Sequence, residues 1–143
     1  MLFYFIMQKK NKFGNKKVSF DNHIFDSKKE KDTYILLKQA IENGAITDLS
    51  LQPKFELIPA IWENKIIQLK TKTKVISKCV QRPITYIGDF SFYKDNIRYV
   101  VDCKISPKML PPEYVLKEKL FRWKFGYSII RIYKPLEILN VIG

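Results

Sequence analysis

The amino-acid sequence predicts an α/β fold in which helices flank a central mixed β-sheet. Apolar residues recur at helical spacing in two segments and alternate with a period of two in several others. The resulting order is a helix, three or four strands, a second helix and a last strand, which is typical of a mixed sheet covered by helices. With 143 residues, 46% of them hydrophobic, the chain is long enough to bury the core of one such domain.

Each predicted helix has a clear start and a clear end. Ser27 and Glu30 match a capping box, in which the two side chains satisfy backbone N–H groups at the start of a helix. The apolar stripe of this first helix is Tyr34, Leu37, Ala40 and Ile41. Gly44 ends it, because glycine readily adopts the left-handed conformation that closes helices. The second helix is predicted over residues 113–125, after two prolines and before Gly126.

The strands are predicted from alternating apolar residues and from turn residues between them. They cover residues 17–20, 48–59, 62–70, 84–93, 97–105 and 127–133. A proline within the segment 48–59 marks an edge or a bulge there. We expect three regions along the chain: a basic flexible arm over residues 1–17, the folded domain over residues 18–134 and a C-terminal tail over residues 135–143.

The net charge predicts a polyanionic partner. Twenty-six Lys and Arg against fourteen Asp and Glu leave a formal charge of +12. Such an excess favours nucleic acid, and no basic amphipathic helix is strong enough to favour a membrane surface instead. The lysines expected to contact the DNA backbone are Lys12, Lys16, Lys17, Lys70, Lys72, Lys74 and Lys124. The alternative is that these side chains are merely solvated.

Several other sites and locations are excluded or disfavoured. Cys79 and Cys103 are expected to be free thiols, since nothing in the sequence indicates secretion. Residues 1–7 are apolar but too short to span a bilayer, so a cytoplasmic protein without a membrane partner is expected. His23 is the single histidine, which excludes metal sites built from several histidines. The sequence has no glycine-rich phosphate loop followed by Lys and Ser or Thr, so no nucleotide cofactor is expected.

The candidate site lies in a predicted hairpin. Asp95 and Asn96 both tolerate the left-handed conformation that a two-residue hairpin turn requires. A turn there fixes the register, so that the numbers of facing residues sum to 191. The facing pairs are then Lys94 with Ile97, Asp89 with Asp102, and Ile87 with Lys104. A slip of one residue would move the two aspartates to opposite faces.

Alternation assigns the two faces of both strands. In the second strand we expect Ile97, Tyr99, Val101, Cys103 and Ile105 in the core, and Arg98, Val100, Asp102 and Lys104 on a polar face. In the first strand we expect Ile84, Tyr86, Gly88, Phe90 and Phe92 in the core, with Asp89 on the other face. The two aspartates and one lysine therefore project together.

This arrangement predicts metal-dependent phosphodiester chemistry. Facing carboxylates repel each other, and a divalent cation would supply the missing positive charge. A metal between Asp89 and Asp102 can bind a scissile phosphate oxygen and lower the pKa of a bound water. Lys104 can orient that water or neutralise the charge that develops at phosphorus. The alternative is a solvated hairpin with an ordinary surface Asp–Lys pair.

These residues resemble the active-site pattern of the restriction-endonuclease-like nuclease superfamily. Asp89, followed after a spacer by Asp102-Cys103-Lys104, matches Asp…(Asp/Glu)-x-Lys, although the sequence has Gly where the family usually has Pro before the first Asp. Glu30 on a first helix resembles the helix-borne Glu of the archaeal Holliday-junction resolvases in this superfamily. The resemblance implies Mg²⁺ or Mn²⁺ held by Asp89, Asp102, Glu30 and the backbone carbonyl of Cys103, and catalysis of DNA cleavage by Asp89, Asp102, Lys104 and Glu30.

Five short motifs resemble more closely a family of small, mostly phage-encoded proteins that are predicted to be nucleases of the same superfamily. The motifs are NKFGNKK (11–17), FDSKKE (25–30), LQPKFEL (51–57), TYIGDF (85–90) and KEKLF (117–121). They occur in the family's order, and the resemblance covers roughly residues 11–132. It implies a restriction-endonuclease-like α/β fold for most of the chain.

Four further residues have two interpretations each. Gln52 is either a plain strand residue or one that positions phosphate or water. Lys117 lies four residues after Glu113, so it forms either a helix ion pair or a phosphate contact. Trp62 and Trp123 are expected in the core rather than stacked on bases.

We therefore expect a Mg²⁺-dependent DNA endonuclease that is selective for branched structures, in the manner of a Holliday-junction resolvase. Two symmetric cuts at a four-way junction imply a homodimer. The alternatives are a nicking or end-processing nuclease of the same fold, a non-catalytic DNA-binding protein on a degenerate nuclease fold, and an RNA-binding protein.

Overall fold

The computed structural model describes residues 15–143, which form a mixed α/β fold, as the sequence predicts. The strands are β1 (Val18–Phe20), β2 (His23–Phe25), β3 (Thr47–Leu51), β4 (Lys54–Ile58), β5 (Ile61–Gln68), β6 (Thr73–Gln81), β7 (Ile84–Ile87), β8 (Phe90–Lys94), β9 (Ile97–Cys103) and β10 (Ile130–Ile132). The helices are α1 (Lys28–Glu42), α2 (Pro112–Phe125) and α3 (Leu139–Ile142), the last preceded by a 3₁₀ turn (Pro135–Ile138). Lys12 of the predicted basic arm lies outside the described residues.

The central sheet has the strand order β10-β9-β8-β3. β10 runs parallel to β9, whereas β8 is antiparallel to both of its neighbours, so the sheet is mixed. Val100 and Val101, which are adjacent on β9, are both fully buried. Because successive side chains of a strand point to opposite faces, both faces of β9 are covered.

Each face of the sheet has its own hydrophobic cluster. The first cluster lies under α1 and contains Phe25, Tyr34, Leu37, Phe90, Phe92, Val101 and Ile132. The second lies under α2 and contains Phe55, Leu57, Tyr86, Val100, Tyr114 and Phe121. The predicted polar face of the second hairpin strand is therefore wrong at Val100, because α2 packs over that face. At the ends of the predicted core face, Ile97 and Ile105 are exposed.

Both helix starts and ends agree with the sequence. The Ser27 hydroxyl accepts a hydrogen bond from the Glu30 N–H at 3.2 Å, as in a capping box. The Glu30 carboxylate accepts from the backbone N–H of Asp26 at 3.3 Å, one residue before the cap. Gly44 and Gly126 follow the two helices with φ values of +73° and +80°. These left-handed values are readily accessible to glycine.

The β8–β9 hairpin has the predicted turn and register. Asp95 and Asn96 both have positive φ, 51° and 64°, as a type I′ turn requires. The pairs run from Lys94 with Ile97 to Phe90 with Val101, so each pair of numbers sums to 191. The ladder ends there, one pair before the predicted pairing of Asp89 with Asp102.

The predicted strand over residues 84–93 is two strands that belong to different sheets. β7 pairs with β4, and β8 pairs with β9 and β3, so the chain changes partners at Gly88 and Asp89. Ile87 faces Lys54, and the predicted pairing of Ile87 with Lys104 is wrong. A Cβ at Gly88 would lie only 3.2 Å from a Val100 methyl carbon, so the close approach favours glycine.

The predicted strand over residues 48–59 is also divided, and the two divisions contact each other. β3 ends and β4 begins around Gln52 and Pro53, where Gln52 has a φ of +49°. The Gln52 N–H donates to the Asp89 carbonyl at 2.9 Å, and the Gly88 N–H donates to the Pro53 carbonyl at 3.0 Å. Two neighbouring strands therefore leave the central sheet together at this point.

β5 and β6 form a separate two-stranded sheet, which we call the ribbon. The sequence predicted β5 approximately but assigned no strand to residues 73–81, where lysines interrupt the apolar pattern. Most side chains of the ribbon are exposed. Trp62 on the ribbon and Trp123 on α2 are 61% and 80% exposed, so the expectation that both lie in the core is wrong.

The C-terminal residues pack on the domain. Ile138 is fully buried and Ile142 nearly so, both within the cluster under α1. The Lys94 ammonium donates to the carbonyls of Val141 and Gly143 at 3.3 and 2.8 Å. Residues 135–143, separated in the sequence as a tail, therefore complete the first cluster. In the described part of the chain, no helix is long and apolar enough to cross a membrane.

Truncation of Ile138 tests this packing. We expect Ile138→Ala to lower the free energy of unfolding by about 2–4 kcal/mol, because it leaves a cavity in the first cluster. Leu136→Ala, two residues earlier and 69% exposed, should change it by less than about 0.5 kcal/mol. Urea unfolding followed by circular dichroism measures both. Equal effects of the two substitutions would contradict the assignment of the C-terminal residues to the core.

Candidate active site

Asp102 is the buried carboxylate at the centre of the candidate site. It lies near the end of β9 and is only 4% exposed. Its Oδ2 atom accepts a hydrogen bond from the Tyr86 hydroxyl at 2.8 Å and contacts the Lys104 ammonium at 3.1 Å. A buried carboxylate needs such partners, because burial without them would cost several kcal/mol.

Asp89 lies beside it, where the chain leaves β7 for β8. Its N–H donates to the Val101 carbonyl at 3.1 Å, and its Oδ2 atom accepts from the Cys103 N–H at 2.6 Å. Burial raises the pKa of Asp89 well above its usual range. The charges of Asp102 and Glu30 raise this pKa further, as does a hydrogen bond between the neutral Asp89 carboxyl and Asp102. The two aspartates therefore meet beyond the end of the ladder.

Glu30 brings a third carboxylate from the first turn of α1. Burial raises its pKa, and the charges of Asp26 and Asp102 raise it further. Its carboxylate also accepts from the Ser27 hydroxyl at 3.2 Å. The capping role and a place beside the two aspartates are thus compatible, and the single side chain does both.

Lys104 lies beside Asp102, and both its side chain and its backbone are fixed by contacts. Its ammonium lies 3.7 Å from the centre of the Tyr114 ring, a cation–π contact, in addition to its contact with Asp102. The backbone N–H of Lys104 donates to the Ile132 carbonyl at 2.8 Å, and its backbone carbonyl accepts from the Lys29 ammonium at 2.7 Å. The predicted placement of Asp102 and Lys104 on one side of the strand is confirmed.

Two tyrosines belong to the site, and the sequence analysis missed both. Tyr86 was assigned to the core by alternation, and it is buried there, but its hydroxyl reaches Asp102. Burial, followed by the nearby charge of Asp102, raises the pKa of Tyr86 and of Tyr114, so both hydroxyls stay protonated. Tyr114 donates to Glu118 at 2.9 Å, and Arg131 pairs with Glu118. The only signal was that Tyr86 shares the motif 85–90 with Asp89.

Asp89 lies between two clefts. The larger, about 420 Å³, is lined by Asp89, Asp102, Lys104, Tyr114, Lys117 and neighbouring residues of β7 and α2. The smaller, about 100 Å³, is lined by Glu30, Gln52, Asp89 and residues around β2. Gln52 and Lys117, both singled out from the sequence, thus each line a cleft that Asp89 also lines. Lys117 also forms the ion pair with Glu113 at 2.8 Å that helix spacing indicates.

Among residues 15–143, the other lysines predicted to contact DNA do not line these two clefts. Lys124 donates to the Glu56 carbonyl at 2.5 Å and does not line the larger cleft. Lys70, Lys72 and Lys74 belong to the ribbon, at or next to its turn. Lys16 and Lys17 precede β1, and the Lys17 ammonium lies 3.8 Å from the Asp26 carboxylate.

The donors present fit a hard divalent cation. Mg²⁺ is typically held by one or two carboxylates with several retained waters, and the carboxylates of Asp89 and Asp102 are donors of this kind. Within residues 15–143, no group of three or more His, Cys, Asp or Glu side chains is arranged to hold a metal by itself. A cation is favoured here because the neighbouring carboxylates repel each other, and a bound positive charge would relieve that repulsion.

Neutralising Asp89 tests this repulsion. In EDTA at neutral pH, we expect Asp89→Asn to raise the free energy of unfolding by about 1–2 kcal/mol, because the folded state disfavours the ionised carboxylate, whereas the amide is neutral in both states and keeps an oxygen that can accept from Cys103. Asp95→Asn, in the exposed hairpin turn, should change it by less than about 0.5 kcal/mol. Thermal and urea unfolding provide the measurement. Destabilisation by Asp89→Asn would show that the charge of Asp89 is not a cost to the fold.

A family model covers nearly the whole of this architecture. It is described as protein of unknown function (DUF1064) and matches residues 10–138, which include Glu30, Gln52, Asp89, Asp102 and Lys104. No curated protein and no solved structure matches the chain. Since the match covers far more than half of the sequence, the chain belongs to the DUF1064 family.

Proposed function

We propose that this protein is a Mg²⁺-dependent DNA endonuclease with a restriction-endonuclease-like fold. The observation that carries the proposal is the contact of two buried or half-buried aspartates, Asp89 and Asp102, with Lys104 paired to one of them in an open cleft. Buried like charges destabilise a fold, so their retention favours a function that needs them. The match of these residues to the Asp…Asp-x-Lys pattern supports the same conclusion.

Asp89, Asp102 and the Cys103 carbonyl would hold the metal. When bound, the metal would polarise a phosphate oxygen and acidify a water. Tyr86 fixes one oxygen of Asp102 with its protonated hydroxyl and thereby orients the carboxylate. The Cys103 N–H does the same for Asp89.

Lys104 would stabilise negative charge at phosphorus. It lines the larger cleft beside both aspartates, and the Tyr114 ring restricts its ammonium. A cation fixed before the reaction stabilises the transition state without reorganisation at that moment. Lys117, in the same cleft, would bind a neighbouring phosphate of the substrate.

Glu30 and Gln52 would act in the smaller cleft, which Asp89 also lines. Both line the smaller cleft, whose volume of about 100 Å³ admits a few waters. The carboxylate of Glu30 and the amide of Gln52 can accept and donate hydrogen bonds to a water there. We therefore assign these two residues the positioning of water, and Glu30 a share in holding the metal.

The proposed substrate is DNA, supported by the net charge of +12. We extend the proposal to branched DNA by analogy with the junction-resolving nucleases of the superfamily, which is a fold-level argument. On a four-way junction the enzyme would act as a homodimer, because two symmetric cuts need two related active sites.

Cleavage of DNA tests the proposal directly. Four-way junction, flap, nicked and linear duplexes should be cut in Mg²⁺ or Mn²⁺ and left intact in EDTA. We expect Asp102→Asn and Lys104→Gln each to reduce the cleavage rate by at least about 100-fold. Asp95→Asn and Lys119→Gln, both exposed and outside the clefts, are the matched controls and should cut normally. Tight DNA binding by the wild type without cleavage in either metal would favour a non-catalytic DNA-binding protein.

Metal binding has a readout that is independent of cleavage. At a Mg²⁺ concentration about 100 times Kd, we expect the wild type to gain about 2.7 kcal/mol of stability, measured as a rise in Tm. Asp89→Asn combined with Asp102→Asn should abolish the gain, whereas Asp95→Asn should retain it. An equal rise in Tm for all three proteins would place the Mg²⁺ elsewhere.

A further inference from the structure

We propose that the ribbon formed by β5 and β6 grips the backbone of duplex DNA away from the cleavage site. The inference rests on the proposed function in taking DNA as the substrate, and it adds that the substrate contains a duplex arm beside the scissile phosphate. Residues 61–82 contain six Lys or Arg and one Glu, a net charge of +5 on 22 residues. The ribbon therefore carries a large part of the excess positive charge of the protein.

The charges of the ribbon strands lie on one face. Facing residues of an antiparallel pair share a face, and alternate pairs share the same one. One face carries the pairs Glu63 with Lys78, Lys65 with Ile76, and Ile67 with Lys74. The other carries Trp62 with Cys79, Asn64 with Ser77, Ile66 with Val75, and Gln68 with Thr73, none of which is charged. The first of these we call the basic face.

The spacing of the basic face suits a regular polyanion. Lys78, Lys65 and Lys74 occupy three successive pairs, each roughly 7 Å further along the ribbon because strands rise about 3.3 Å per residue. They alternate between the two strands, and Lys70 and Lys72 continue the charge at the turn. A two-stranded ribbon is narrow enough for the major groove of B-DNA, which is about 12 Å wide.

The ribbon is connected directly to the active site. β6 leads into β7 after Arg82 and Pro83, and β7 ends immediately before Gly88 and Asp89. Thr85, Tyr86 and Ile87 of β7 line the larger cleft. A duplex held on the ribbon would therefore be anchored to the strand that leads directly to the proposed catalytic Asp89.

Charge favours DNA over a second copy of the chain as the occupant. The ribbon pairs with no other strand among residues 15–143, and an isolated two-stranded hairpin is only marginally stable in water. Docking of two ribbons would bring two charges of +5 together, whereas a phosphate backbone neutralises them. The exposed Trp62, Ile66 and Val75 belong to the uncharged face and leave the basic face free.

The test compares two charge-matched double variants by fluorescence anisotropy in EDTA, where cleavage cannot interfere. The ribbon variant is Lys65→Gln with Lys74→Gln, and the control is Lys119→Gln with Lys134→Gln, all four residues being exposed. The probes are a linear duplex and a single strand of the same sequence. For the duplex, we expect the ribbon variant to lose roughly 30-fold in affinity at 0.1 M salt, and its slope of log K against log [salt] to become shallower by about 2.

The control variant should lose less than about fivefold, because its lysines lie outside the ribbon. Equal losses in the two variants would overturn the proposal, since general charge would then explain binding. A loss for the ribbon variant on single-stranded DNA as large as on the duplex would also overturn it. So would normal duplex binding by the ribbon variant together with dissociation of a dimer by Ile66→Thr in sedimentation, which would assign the ribbon to a second copy.

The outcome is separable from that of the cleavage test. Loss of duplex affinity in the ribbon variant with no cleavage by the wild type in Mg²⁺ would leave the ribbon proposal standing and reject the nuclease. Cleavage by the wild type with unchanged duplex affinity in the ribbon variant would reject the ribbon proposal and support the nuclease.

Discussion

The architecture depends on one coordinated change of strand partners. Two backbone hydrogen bonds, from the Gln52 N–H to the Asp89 carbonyl and from the Gly88 N–H to the Pro53 carbonyl, join two chain segments at the point where both leave the central sheet. On one side of this point β4 and β7 pack under α2, and on the other side β3 and β8 pack under α1, so the same short region contacts both hydrophobic clusters. Because it is fixed from both sides, the region can hold Asp89 against Asp102 despite their repulsion. A strand that continued straight would have kept Asp89 in a regular ladder, without access to two clefts.

The buried carboxylates are compensated unequally. Asp102 has a hydroxyl and an ammonium as partners, from Tyr86 and Lys104, whereas Asp89 has the Cys103 N–H and faces two negative charges. The imbalance leaves Asp89 as the side chain that gains most from a cation. The uncompensated charge around Asp89 lowers the stability of the fold, and a bound metal would restore that stability. Such an exchange of stability for activity is common at functional sites.

The sequence predicted local features better than distant ones. Helix caps, the Asp95-Asn96 turn and the register of its hairpin depend on neighbouring residues, and each is confirmed. The partner exchange at Gly88 could not be predicted, because alternation continues unbroken through it while the strand partners change. For the same reason Tyr86 was predicted only as a core residue. Val100 was predicted on the polar face because the helix that covers it, α2, is distant in the sequence. Within one strand the alternation indicates which residues share a face, but it shows neither where the strand ends nor which element packs on that face.

On the proposed function, the charge distribution also explains why a metal is needed at all. A protein of net charge +12 attracts a phosphate backbone, yet the region around Asp89, on which the charges of Glu30 and Asp102 also act, is locally negative. A phosphate attracted by the lysines of the protein would be repelled at that point, and the two lysines that line the larger cleft, Lys104 and Lys117, are already paired with Asp102 and Glu113. A divalent cation reverses the local sign, so attraction becomes continuous from the lysines to the reacting centre. At the cleft, a bound metal would therefore strengthen DNA binding. On the ribbon, which lacks these carboxylates, DNA binding would not depend on the metal.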